Sequence, residues 1–193
     1  MKTFSLKFIF LALFLSSAIV TNSMELKEPL ITKKSQIEDL LNELQKARSS
    51  NEATKLRRKI WQEWMNGYQS ERVREKLGHA MSFFYDNQLE AAEKIFDEII
   101  TLEPDFVEAW NKRATVRYLR DNLSGSLHDI NQVLERQSRH FGAISGSGLI
   151  YLKLGEPKKA LESYLLVSQI DPWNEEAKKI TLQLKDLLHG VTL

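Results

Sequence analysis

Cysteine is absent from this chain of 193 residues, which excludes disulfides, thiolate metal ligands and lipid attachment through a cysteine. Neither sign of charge dominates. The 27 basic residues stand against 26 acidic ones, so the surplus of positive charge that marks a general nucleic-acid binder is missing. Histidine occurs four times, at 79, 128, 140 and 189, and no two share the three- or four-residue spacing that gives a helix two metal ligands on one face. The run GAISGSG, with Gly142, Gly146 and Gly148, lacks both a preceding strand and the lysine-serine ending of a phosphate loop. Carboxylate pairs such as Glu175 with Glu176 and Glu71 with Glu75 fall on polar helix faces, where water solvates them. No catalytic constellation, cofactor site or metal site emerges, and the chain reads as no enzyme.

Long apolar runs are also scarce. Lys2 and Lys7 precede the apolar stretch from Phe8 to Val20, and the polar Thr21, Asn22 and Ser23 follow it. That order is expected of a secretory signal peptide over residues 1–23, and the stretch is short for the ~20 residues of a membrane span. Export to the periplasm or beyond is the expectation, with an uncleaved N-terminal membrane anchor as the alternative. Residues 24–34, with Pro29 and no helical period, read as an extended linker.

What is abundant is helical periodicity. Ser35, with Glu38 three residues on, predicts a capped helix through Ile37, Leu40, Leu41 and Leu44. A polar turn at Ser49, Ser50 and Asn51 leads to a second helix with Ala53, Leu56, Ile60, Trp61, Trp64 and Met65 on its apolar face. This pair, residues 35–68, has the size of a divergent first repeat stacked on the rest. Beyond it, Pro104 and Pro172 stand two periods of 34 residues apart. With units starting at Val73, Val107 and Phe141, the small residues Ala80, Ala92, Gly148 and Ala160 and the aromatics Phe83, Phe96, Tyr151 and Tyr164 recur in phase. Gly155 lies in the turn between the two helices of the third unit. The middle unit is irregular, with Ser126 at a small position, Arg117 in place of an aromatic and Ser138 in place of proline.

These residues resemble the tetratricopeptide repeat family, and EAWNKRAT and RHFGAISGSGLIYL, which open the second and third units, look like its exported members. The resemblance implies an all-α fold, a right-handed α-α solenoid of three units at 73–106, 107–140 and 141–174. A C-terminal capping helix is expected over 175–189, with Trp173, Ala177, Ile180, Leu184, Leu187 and Leu188 on one stripe. Function follows from the same resemblance: the first helices of successive units line a concave groove for a peptide or a partner helix. Carried over position by position, the groove takes Arg74, Leu77, Met81, Phe84 and Tyr85 from the first unit and Glu108, Asn111, Thr115, Tyr118 and Leu119 from the second. The third contributes Gly142, Ser145, Leu149, Leu152 and Lys153. This set is largely apolar and aromatic, which suits hydrophobic anchors on a partner. The cationic clamp of chaperone-binding members is missing, because Leu77, Met81, Gly142 and Gly146 occupy its positions.

Two charged features stand apart. Arg113, Arg117 and Arg120 share one helix face and form either an ion-pair network, with Glu90, Glu93, Asp97 or Asp129, or an anion cluster. Lys55, Arg57, Arg58 and Lys59 beside Trp61 and Trp64 form a solvated basic face, with peripheral association on anionic lipid as the alternative. The functional expectation is a non-catalytic adaptor at the cell envelope that binds a protein or peptide partner. The alternatives are an assembly or regulatory subunit of an envelope enzyme and a self-associating structural protein.

Overall fold

The computed structural model describes residues 28–66 and 70–190, with side chains from residue 35 onward. The expected signal peptide lies outside the described residues. Helices follow one another as α1 Glu28–Gln45, α2 Ser50–Met65, α3 Glu71–Tyr85, α4 Leu89–Leu102, α5 Val107–Leu119, α6 Leu123–Arg136, α7 Phe141–Lys153, α8 Pro157–Ile170 and α9 Glu175–His189. No strand occurs among the described residues, and no helix there is long and apolar enough to cross a membrane. The chain divides into two units, Met1–Asp39 and Leu40–Leu193, and α1 enters the second at Leu40.

One expectation about α1 is corrected. Residues 28–34, read as an extended linker, are helical, and Ser35 sits inside α1 and not at its cap. Pro29 does not prevent this, because it falls in the first turn, where the missing N–H has no intrahelical acceptor in any case.

In the second unit, α3 packs on α4, α5 on α6, α7 on α8, and α9 covers α8. Each of the three pairs turns in the same way. Asn87, Asp121 and Gly155 stand 34 residues apart, and each takes a left-handed conformation, with φ of 57°, 63° and 72°. The next amide then reaches back to a carbonyl five residues earlier, Gln88 to Phe83, Asn122 to Arg117 and Glu156 to Tyr151, each at 2.8 Å. Asparagine and aspartate tolerate that conformation better than other side chains, and glycine tolerates it best. The helix starts are capped as locally: Asn122 Oδ1 accepts the Gly125 amide and Asn174 Oδ1 the Ala177 amide, both at 2.9 Å.

Small residues set the distance between the helices of each pair. Ala80, Ala92, Ala114 and Ala160 are buried. At Gly148 a Cβ would come within 2.8 Å of Tyr164, so the ring of the third unit rests directly on backbone. In the irregular middle unit, Ser126 is buried at the small position, and its hydroxyl donates to the Ala114 carbonyl at 2.7 Å. The serine therefore keeps close approach without leaving a buried polar group unmade.

The N-terminal pair is not simply one more layer at the end of the stack. Although Met65 packs on the core of the first repeat, α2 runs across the N-terminal ends of α5 and α7 and reaches the turn before α9. Trp61 meets Phe141 edge-on at 5.7 Å, and Trp64 stacks on His140 at 3.8 Å. The physical reason is steric. Two indoles do not fit the small-residue seam of a repeat, whereas Gly142 leaves room for one, since a Cβ there would lie 2.8 Å from the Trp61 ring.

At Gly155 the space around a Cβ is empty, so only backbone strain opposes a side chain. Gly155→Ala is expected to lower stability by about 1 kcal/mol, read as an earlier midpoint in urea at unchanged slope.

Candidate partner-binding groove

The first helices α3, α5 and α7 carry the residues expected to meet a partner. Arg74 and Thr115 are exposed, as are Leu149 at 40% and Leu152 at 37%. Met81, Phe84, Tyr118 and Ser145 are half-buried, and Tyr85 and Leu119 stand well out at 76% and 51%. Between α5 and α7 lies an open concavity of about 360 Å³, counted out into solvent. Thr115, Tyr118, Gly142, Gly146 and Leu149 line it, with Ile130 and Ile150 at its base. Gly146 deepens it, because a Cβ there would press on the Ile130 methyl at 3.3 Å. Lys153 lies 5.3 Å from the Tyr118 ring and pairs with Asp121 at 2.6 Å, which holds its ammonium above the ordinary lysine value.

Two of the expected groove residues, Leu77 and Glu108, lie elsewhere, and Asn111 belongs to the concavity only as a buried part of its wall. Leu77 is buried in the first hydrophobic cluster, beside Val73, Ala80 and Phe96. Asn111 is buried and donates from Nδ2 to Glu108 Oε2 at 3.0 Å. Glu108 itself is wholly enclosed, with α2 crossing the helix that carries it. α5 and α7 therefore present their C-terminal halves to solvent, while α2 takes their N-terminal ends.

Beneath α2 is a polar arrangement that repeat phase alone did not reveal. His140 caps α7, its Nδ1 accepting the Ala143 amide at 3.0 Å. The ring proton must then sit on Nε2, which donates to Glu108 Oε1 at 3.1 Å. Burial acts to raise the Glu108 carboxyl, but His140, Lys112 and Asn111 outweigh it and hold its pKa below the ordinary 4.5. Nearby, Arg57 Nη1 donates to the buried Asp171 Oδ2 at 2.7 Å, and the Trp173 indole donates to the Ala47 carbonyl at 2.9 Å. The signal in the sequence was faint: Glu108 opens α5 and His140 caps the start of α7, so the two meet where neighbouring first helices begin.

The arginine face of α5 is an ion-pair network. Asp129 is fully buried between two guanidinium groups. Arg113 grips it through Nε at 2.9 Å and Nη2 at 2.7 Å, and Arg117 Nη1 reaches both of its oxygens at 3.0 Å. Arg113 Nη1 continues to Asp97 at 2.6 Å, Arg117 Nε to Glu93 at 2.8 Å, and Arg120 to Glu90 and Glu93. Burial acts to raise the Glu93 carboxyl, and the two arginines bring it below its ordinary value. The guanidiniums are directed to these carboxylates on α4 and α6, leaving an ion-pair cluster in place of an anion site. Arg117 thus fills the aromatic position of its repeat by bridging its neighbours.

No family model matches the chain. A TPR repeat-containing protein of Rhizobium etli is 30% identical over 157 residues, covering 81% of this chain and 76% of the relative. The chain belongs to the tetratricopeptide repeat family. Solved structures agree on the fold. The first TPR domain of Spaghetti (RPAP3), bound to the HSP90 peptide SRMEEVD, superposes with a TM-score of 0.59 at 16% identity, over 63% of this chain and 96% of that one. The Yersinia enterocolitica type III secretion chaperone SycD, in complex with a peptide of the translocator YopD, gives 0.55 at 14% identity, over 64% and 94%. The tetratricopeptide solenoid is therefore the scaffold on which the concavity is built.

Two predictions arise from the buried charges. Asp129→Asn leaves two arginines short of their shared partner and is expected to cost about 3–5 kcal/mol in chemical denaturation. Glu108 has a folded pKa below its ordinary value, so its contribution is complete above about pH 4.5 and is lost as pH falls through the lower folded value. Glu108→Gln should accordingly flatten the fall in stability below pH 4.5, measured as urea midpoints across an acid series.

Proposed function

We propose that this tetratricopeptide protein is a non-catalytic adaptor, exported to the cell envelope, that holds a peptide or helix of a partner protein in the concavity between α5 and α7. The observation that carries the reading is the open, mainly apolar concavity lined by Tyr118, Leu149 and Ile150 with Thr115 as a polar group beside them, and the exposed Leu152 three residues beyond Leu149 on α7. Exposed apolar area on a rigid scaffold favours side chains that bury themselves there, and the half-exposed tyrosine supplies both a ring face and a hydroxyl. Among the solved structures of similar fold, the first TPR of RPAP3 is seen with an HSP90 peptide and the chaperone SycD with a peptide of the translocator YopD. The ligand of this chain differs in chemistry from an acidic C-terminus. Leucine, methionine and glycine stand where a cationic clamp would be, and Arg113 and Arg117 are directed to internal carboxylates. Export rests on residues 1–23, whose basic start, apolar stretch and polar end match a secretory signal.

The test is crosslinking and affinity capture from the native envelope fraction, with Leu149→Arg and Tyr118→Ala compared against the unaltered chain. Both variants are expected to stay helical and folded, Tyr118→Ala with some loss of stability because its ring also packs on the second hydrophobic cluster, while partner recovery falls about tenfold, as loss of one interface anchor produces. Unchanged recovery with both variants would remove the groove from the function. Recovery of the protein in the cytosolic fraction, with residues 1–23 intact, would remove the export reading.

A further inference from the structure

We infer that α2 is an internal ligand of the groove, and that a partner helix with the same chemistry binds by replacing it: an aromatic pair three residues apart, preceded by an arginine. This deepens the adaptor reading and rests on it. Three observations support it.

The first is continuity. Gly142 lines the open concavity and also receives the Trp61 ring, so the seat of α2 and the vacant part of the groove share one wall. Trp61 and Trp64 enter the N-terminal end of the first helices, where Lys112 lies 5.4 Å from the Trp61 ring and His140 stacks on Trp64. The second is charge. Glu108 and Asp171 are both fully buried at this seat, and α2 brings Arg57 to Asp171 while its outward side carries Lys55, Arg58 and Lys59. A basic, tryptophan-bearing helix is what such a seat selects. The third is imperfect fit. The buried Trp64 indole N–H has no acceptor, and the enclosed carboxylates cost desolvation that an apolar interface avoids. A segment tethered in the same chain tolerates such defects, because its effective concentration is on the order of millimolar. A free helix whose second aromatic brought no unpaired donor into the seat would compete on better terms.

The probe is a fluorescent synthetic peptide of residues 50–65, titrated into the full chain and into the Trp61→Ala, Trp64→Ala double variant. The double variant should bind it at least about tenfold tighter than the unaltered chain, whose own α2 blocks the seat. A probe carrying Arg57→Glu should lose most of that binding. Equal affinity for both proteins, with the variant fully helical, overturns the inference. Should the double variant fail to fold, Arg57→Glu in the full chain leaves both rings in place, and hydrogen exchange provides the readout. Exchange in α2 that rises while α3 to α9 stay protected supports a detachable strap. Exchange only through whole-domain unfolding makes α2 permanent core and overturns it. A doubled mass for the unaltered chain in light scattering would assign the seat to α2 of a second copy, and overturns it as well. Probe binding is read on the purified chain and partner capture on the envelope fraction, so the two proposals fail separately.

Discussion

Asp129 carries no exposed surface and lies between the guanidinium groups of Arg113 and Arg117, joining the two helices of the middle repeat to each other and to α4. A carboxylate so placed is favourable only while both partners hold it, since either alone leaves charge uncompensated in a region of low dielectric. The middle repeat therefore has a fixed geometry at the point where its neighbours rely on apolar packing. Because α5 is one wall of the concavity, that rigidity passes directly to the surface presented to a partner. Arg120, more exposed, extends the same pairing to Glu90 and Glu93, where solvent screens it.

Placed beside that network, the His140 and Glu108 link is of a different kind. It joins the starts of two successive first helices, and its imidazole is at once a helix cap, a hydrogen-bond donor and the face on which Trp64 stacks. One residue thereby couples repeat geometry to the position of α2. The glycines of α7 complete the arrangement. Gly142 admits an indole, Gly146 opens the concavity and Gly148 lets Tyr164 reach the backbone, so one run of small residues serves three neighbours.

Much of this was legible beforehand because repeat architecture is locally encoded. The small residues that let α3 meet α4 and α7 meet α8, and the aromatics beside them, lie at fixed offsets, and each contact spans less than one repeat. The acidic partners of the arginine face were also readable, since Glu90, Glu93, Asp97 and Asp129 fall on second helices next to α5. The groove was legible only in part. Thr115, Tyr118, Leu149 and Leu152 are open, whereas Leu77, Asn111 and Glu108 are buried, because position within a repeat does not say what a segment from outside the array will cover.

By itself, the sequence determined the helical pairs, their phase and the chemistry of the middle repeat, since these depend on residues near one another in the chain. Only the tertiary structure decided where α2 goes. Contacts of α2 and of the turn before it run from Arg57 to Asp171 and from Ala47 to Trp173. No periodic pattern records pairings of that length. They follow from the shape of the assembled solenoid, in which a glycine at 142 and a histidine at 140 leave a place for two tryptophans.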